Sequence, residues 1–171
     1  MVTIKWCAQH GLELTQPNEN MAESYLHMAE ESLQQLKGVE QSKIWSATVT
    51  YYIFYYSLYA LMLRIGVKSE IHSCSLEFMK QYLMQLYNNQ DKDMVEKAFS
   101  ARINLQYYAD RPVSDEILLV TKHYCPSFYI KTKDLLAELT EDQIQMIREK
   151  LKKEVRPSQK SRSSKRTQRK S

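Results

Sequence analysis

The chain has 171 residues, of which 43% are hydrophobic, 3 are Gly and 4 are Pro. This length favours one domain with a real core, and so few turn-forming residues argue against a many-stranded sandwich or barrel. Residues 156–171 hold seven of the 24 basic residues and no acidic one, which leaves 17 basic against 20 acidic residues in 1–155. The net charge of +4 therefore reflects the tail, not the globular part.

Helical periodicity dominates the chain after a short lead-in, residues 1–18, which we expect to form an extended arm around Gly11. Apolar residues recur at helical spacing, and capping and breaking residues separate the runs. The predicted helices span residues 17–38, 40–66, 72–87, 91–110, 114–140 and 141–156. The second is apolar nearly all the way round, which predicts that it is the central, most buried helix.

Cap and break residues set the expected helix ends. We expect Asn18 or Asn20 to cap the first helix and Gly38 to end it, and we expect Gly66 to end the second. The predicted starts and breaks of the later helices are Asp91 or Asp93 for the fourth, Ser114 for the fifth, and a kink or split at Pro126 inside the fifth.

These elements predict an all-α fold: an up-and-down antiparallel bundle of four to five core helices. The expected division is an extended arm (1–18), the bundle (19–140), a short charged C-terminal helix (141–156) and a disordered basic tail (157–171). The tail is expected either to bind polyanions without sequence preference or simply to aid solubility.

The longest apolar run, "VTYYIFYYSLYALML", is too short and too rich in hydroxyl groups for a membrane span. The first residues, "MVTIKWCAQHG", lack the basic and apolar regions of a secretory signal. We therefore expect a cytoplasmic protein, with no membrane contact and with reduced thiols.

No metal or cofactor is expected from the sequence. Cys7 and His10 are spaced like half a zinc site, and "HSC" and "HYC" each pair a His with a Cys two residues on. Side chains two apart on a helix point about 200° away from each other, so such pairs do not chelate within a helix. The sequence also lacks a Gly-rich phosphate loop, a nucleophile elbow and a helical zinc signature, which disfavours the usual hydrolases and nucleotide-dependent enzymes.

Two features of the helices hold candidate functional groups. Five tyrosines lie in the second helix, and core packing with a subunit interface is favoured for them over a stacking platform for bases. Arg102 lies at the edge of the apolar face of the fourth helix, where a guanidinium needs a partner. It is either an intramolecular helix clamp or a phosphate-binding group. If the helix continues, Gln106 shares its face and Tyr107 points about 140° away.

Three stretches, "TYYIFYYSLYALML", "KSEIHS" and "RINLQYYADRPVS", occur in this order with spacings that resemble the HEPN domain superfamily. The similarity is closer to its small prokaryotic members, and "IKWC" with "QPNENMAESYLHMAEESL" looks like an archaeal subset. The tyrosine pair of that family matches Tyr51 and Tyr52, its lysine-to-histidine link matches Lys68 and His72, and its arginine and tyrosine match Arg102 and Tyr107. The resemblance covers residues 20 to 138.

This resemblance implies a helical bundle that is commonly a homodimer. Many members are metal-independent endoribonucleases with an arginine followed four to six residues later by a histidine, and many are toxins paired with a minimal nucleotidyltransferase antitoxin. In this chain that window contains Tyr107 and Tyr108 and no histidine, and Gln106 stands where relatives often have aspartate.

The departure favours a noncatalytic protein that binds RNA, a nucleotide or a nucleotidyltransferase partner, because tyrosine with a pKa near ~10 is a poor base at neutral pH. The alternative is a metal-independent endoribonuclease toxin that uses Arg102, with His72 as its base. A third possibility is a scaffold in which Arg102 only clamps helices. The candidate binding residues are Tyr51, Tyr52, Lys68, His72, Arg102, Gln106 and Tyr107.

Overall fold

The computed structural model describes residues 2–108 and 110–155 and is predominantly helical, as predicted. Its elements, in chain order, are α1 (Ile4–His10), β1 (Leu12–Leu14), α2 (Glu19–Gln35) with a 3₁₀ turn (Leu36–Val39), α3 (Lys43–Ile65), β2 (Val67–Ser69), α4 (His72–Tyr82), α5 (Asn89–Tyr107), α6 (Asp115–Glu138) and α7 (Glu141–Val155). The predicted tail, residues 157–171, lies outside the described residues.

The central helix is α3, and its neighbours alternate in direction around it. Tyr25 of α2 packs on Tyr59, and Asn18 just before α2 donates its backbone N–H to the carbonyl of Leu63, so α2 runs antiparallel to α3. Helices α5 and α6 also pack against α3: Gln106 of α5 bonds to Thr48, and Phe128 of α6 packs on Phe54. Most of α3 is buried, which confirms the expectation that it is the core of the bundle.

The end of α3 is closed by Gly66 and by an arginine of α7. Gly66 has a left-handed backbone (φ 80°), and a Cβ there would lie 2.7 Å from the carbonyl oxygen of Thr15 and would also collide with the Arg148 guanidinium. Arg148 Nη1 donates to the carbonyl oxygens of Thr15, Ile65 and Gly66 at 2.8, 2.8 and 3.1 Å. A single guanidinium thus satisfies carbonyls that the helix end leaves free and ties α7 to the bundle.

The N-terminal segment is not the extended arm that the sequence predicted. Thr3 caps a helical turn that becomes α1, and only Leu12–Leu14 is extended, paired antiparallel with Val67–Ser69. The helix brings Cys7 to Cys74 of α4, and the two form a disulfide with Cα atoms 5.5 Å apart. The expectation of reduced thiols is therefore wrong for this pair, while Cys125 is free and buried.

Two predicted features of α5 and α6 also need correction. Asn88, not Asp91 or Asp93, caps α5. The Asn88 side chain accepts a hydrogen bond from the backbone N–H of Asp91, and the Asp91 carboxylate accepts one from the backbone N–H of Asn88. Helix α6 is continuous through Pro126. The proline removes the N–H that would bond the carbonyl of Lys122, and the thiol of Cys125 donates to that oxygen instead at 3.3 Å.

The remaining predicted helix boundaries hold to within a few residues. Asn18 caps α2 and Ser114 caps α6 through side-chain bonds to Met21 and Ile117. The third predicted helix, residues 72–87, is shorter than expected: α4 ends at Tyr82, and Leu83 no longer has helical backbone angles.

Candidate functional site

Arg102 of α5 faces the middle of α3 and lies among aromatic rings. Its guanidinium carbon is 5.3 Å from the centroids of both Tyr51 and Tyr52 and 5.8 Å from that of Tyr107. One nitrogen, Nη2, donates to the Tyr52 hydroxyl at 3.4 Å, which is long for a hydrogen bond. The electron-rich faces of these rings stabilise the cation at the edge of the bundle.

The charge of Arg102 is not neutralised inside the described part of the chain. No carboxylate of residues 2–108 or 110–155 pairs with it, and its buried Nε has no hydrogen-bond partner. An arginine has five N–H donors in a planar fork, so most of them are unused. The guanidinium is therefore held in place by rings, and most N–H groups of its terminal nitrogens, unlike the buried Nε, are left for a ligand.

His72, the first residue of α4, also belongs to the cluster of side chains around Arg102. Its Nδ1 lies 2.6 Å from the Tyr51 hydroxyl, and its ring stacks on Tyr55 with centroids 4.0 Å apart. Burial, and then the nearby charge of Arg102, lower the pKa of His72 below its ordinary value of 6.5. His72 is therefore neutral at pH 7, and one face of the imidazole is covered.

The tyrosine hydroxyls around Arg102 are poor bases. Burial is the main cause that raises the pKa of both Tyr51 and Tyr55 above 10. Tyr51 is fully buried, whereas Tyr52 and Tyr56 are half-buried. Tyr51 and Tyr55 can therefore donate hydrogen bonds and shape the site at neutral pH, but they do not remove protons.

Gln106 lies one turn after Arg102 and joins α5 to α3. Its Nε2 donates to the Thr48 hydroxyl at 2.7 Å, and that hydroxyl donates to the carbonyl of Ile44, also at 2.7 Å. The amide is thus committed to an interhelical contact, which gives Gln106 a structural role beside the arginine.

The cluster unites most of the candidate binding residues. The exception is Lys68 on β2, which is exposed, with its Nζ 3.5 Å from Glu70. The expectation that Tyr107 points away from Arg102 if the helix continues is wrong: α5 includes Tyr107, yet its ring lies 5.8 Å from the Arg102 guanidinium carbon.

Two members of the cluster were not identified as site residues from the sequence. Tyr55 was assigned to the core, and Thr48 was not singled out. Once Tyr52 is opposite Arg102 in antiparallel helices, Thr48 must lie opposite Gln106, because both pairs are separated by one helical turn.

Other kinds of site find little support in the described residues. Within 2–108 and 110–155, no group of three or more His, Cys, Asp or Glu side chains is arranged to hold a metal ion. The sulfurs of Cys7 and Cys74 are bonded to each other. In the same residues no helix is both long and apolar enough to cross a membrane.

Comparison with protein-family models and with curated proteins found no match to the chain.

Proposed function

We propose that the chain is a noncatalytic HEPN-like helical protein that binds RNA by holding a phosphate group on Arg102. One observation carries the proposal: a cation held by three aromatic rings has no carboxylate partner among the described residues. A planar guanidinium suits the oxygens of a phosphate, and a phosphate would supply the missing negative charge. Tyr52 and His72 flank the arginine and can add hydrogen bonds to the same anion.

The test is RNA binding by Arg102 variants of the full chain. Arg102→Ala should reduce affinity for a short single-stranded RNA at least tenfold, since charge-assisted hydrogen bonds are worth about 1.5–3 kcal/mol. Arg102→Lys should restore the charge but only part of the affinity, because lysine lacks the fork. The matched control is Arg64→Ala, which removes the same charge from the far end of α3, where Arg64 pairs with Glu19 and Glu141.

Equal affinities for the wild type and Arg102→Ala would refute the proposal, because the basic tail alone would then explain binding. Failure of the wild type to bind RNA, together with copurification of a nucleotidyltransferase-type protein, would favour the partner-binding form of the same idea. In that setting the protein would be one component of a toxin–antitoxin-like pair. The HEPN-like reading also predicts a homodimer.

A metal-independent endoribonuclease is the second candidate, favoured by the neutral His72 beside Arg102. To act as a base through Nε2, His72 must carry its proton on Nδ1 and donate it to Tyr51. RNA incubated with the protein in chelator should then be cleaved, and both His72→Ala and Arg102→Ala should abolish the cleavage. Intact RNA at high protein concentration would exclude this activity.

If the ligand is RNA, we expect the protein to act in the cytoplasm. The Cys7–Cys74 disulfide would then have to persist against cellular thiols, as disulfides do inside hyperthermophilic archaea. Complete burial of both cysteines favours such persistence.

A further inference from the structure

Three exposed aromatic side chains lie at the end of the bundle next to Arg102. Trp45 is 59% exposed, Tyr107 65% and Tyr108 40%. We call these three residues the aromatic rim. They differ from the tyrosines of α3, which are buried or half-buried in the core.

The contacts between α3 and α5 place the rim on one side of the molecule. Gln106 bonds to Thr48, and Trp45 precedes Thr48 by three residues, so it lies one turn away on the same side of α3. Tyr107 directly follows Gln106, and its ring is 5.8 Å from the Arg102 guanidinium. Tyr107 thus belongs both to the rim and to the proposed phosphate site, and Trp45 lies at the same end of the α3–α5 pair.

A second cation lies within the rim. The guanidinium carbon of Arg111 is 3.7 Å from the centroid of the Tyr108 ring. Within residues 2–108 and 110–155, neither Arg111 nor Arg102 is paired with a carboxylate, whereas Asp115 at the same end is paired with Lys43 at 2.6 Å. Two of the three exposed rings, Tyr107 and Tyr108, therefore each lie against an arginine that has no carboxylate partner in the described residues.

We infer that the aromatic rim stacks the bases of single-stranded RNA whose phosphates lie on Arg102 and Arg111. This inference rests on the proposed function and names its substrate class. Single strands expose base faces, and alternating aromatic and cationic side chains bind them with little sequence preference. A duplex hides those faces within its own stack. A second copy of the chain would have to supply carboxylates to two arginines, a role that RNA phosphates fill directly.

The experiment compares two probes with the full chain: a single-stranded oligoribonucleotide of about ten nucleotides and an abasic oligomer with the same number of phosphates. Fluorescence anisotropy should show tighter binding of the probe that has bases. Trp45→Ala should weaken binding of that probe about tenfold and leave the abasic probe unchanged. Tyr107→Ala should weaken binding of both probes, that of the probe with bases more strongly, because the Tyr107 ring also lies against Arg102. Trp45→Phe keeps a ring and should retain most of the affinity.

Trp6→Ala is the matched control, because Trp6 is also exposed (41%) but stacks on His10 of α1. It should leave the binding of both probes unchanged. Trp6→Phe makes Trp45 the single tryptophan of the chain, since there are two. The fluorescence of that variant should be quenched by the probe with bases and not by the abasic one.

The outcomes separate this inference from the proposed function. Equal binding of the two probes, with an intact Arg102 effect on both, would overturn base stacking and leave phosphate binding standing. No binding of either probe would overturn the proposed function itself. If Trp45→Ala and Tyr107→Ala convert a dimer to a monomer without changing RNA affinity, the rim is a subunit interface and the inference is wrong.

Discussion

A charged residue contacts the core near each end of α5, and the two residues differ in how many partners they have. At the first turn, Asp91 is 1% exposed and accepts bonds from the Asn88 backbone at 2.8 Å, the Tyr124 hydroxyl at 2.9 Å and Lys131 Nζ at 2.5 Å. Near the other end, one turn before the last, Arg102 has one long hydrogen bond and a buried Nε without a partner.

This difference separates a charge that supports the fold from one that is available to a ligand. A buried charge costs several kcal/mol unless partners replace its water, and the partners of Asp91 do so completely. Its effect extends to Tyr124, where burial and then the hydrogen bond to Asp91 raise the pKa to about 12. Arg102 is held by aromatic rings and one long hydrogen bond, which leave most of the donors of the guanidinium unused.

The largest effect should come from breaking the Asp91 network. Asp91→Ala removes the capping box of α5 and leaves Lys131 and Tyr124 without their acceptor, so we expect a loss of roughly 3 kcal/mol in the free energy of unfolding. Urea denaturation measures it. Asp93→Ala, at an exposed position of the same helix, should stay within about 0.5 kcal/mol of the wild type. Comparable losses in the two variants would contradict the role given to Asp91.

A smaller loss is expected at the other end of the helix, where Gln106 bonds to Thr48. Gln106→Ala should cost about 1 kcal/mol, the usual value of one hydrogen bond. Asn104→Ala, another half-buried amide on α5, should cost less, because its side chain has no described hydrogen bond. In a double-mutant cycle with Thr48→Val, additive losses would show that the two side chains do not interact in solution.

A still smaller effect should appear in the pH dependence of stability. Burial lowers the pKa of His72 in the folded state below 6.5, so the fold prefers the neutral ring. Its contribution is therefore complete above about pH 6.5 and is lost as the pH falls through the folded-state pKa. His72→Gln should flatten the fall in melting temperature as the pH drops below about 6.5. An unchanged profile for His72→Gln would argue against a buried, neutral imidazole.

Local pattern was sufficient to predict most of the fold. The helices α2, α3, α6 and α7 follow from apolar spacing and from caps such as Asn18 and Ser114, all of which act within one or two turns. The same local rules failed where a distant contact decides the outcome. Cys7 and Cys74 are 67 residues apart, so no periodicity could show that α1 brings them together.

The candidate site was only partly predictable for the same reason. Helical geometry placed Arg102 at an apolar edge and indicated that it needs a partner, but not that the partners would be rings. The resemblance suggested Tyr51, Tyr52 and His72, which the structure brings to Arg102. The resemblance suggested Lys68 equally, but Lys68 is exposed on a two-stranded ribbon. The sequence alone did not predict that β1 and β2 pair.

The smallest effect on stability is expected from Arg102→Ala. A small effect would show that Arg102 contributes little to the fold. Removing the guanidinium loses cation–π contacts of roughly 0.5–1 kcal/mol each but also relieves a buried, unpartnered Nε that costs about 1–3 kcal/mol. These terms offset, so the melting temperature should change by no more than about 4 °C while RNA affinity falls. Arg148→Ala, which removes three bonds to backbone carbonyls, should lower it further. A large drop for Arg102→Ala with unchanged RNA binding would instead make Arg102 a helix clamp, and both ends of α5 would then serve the fold.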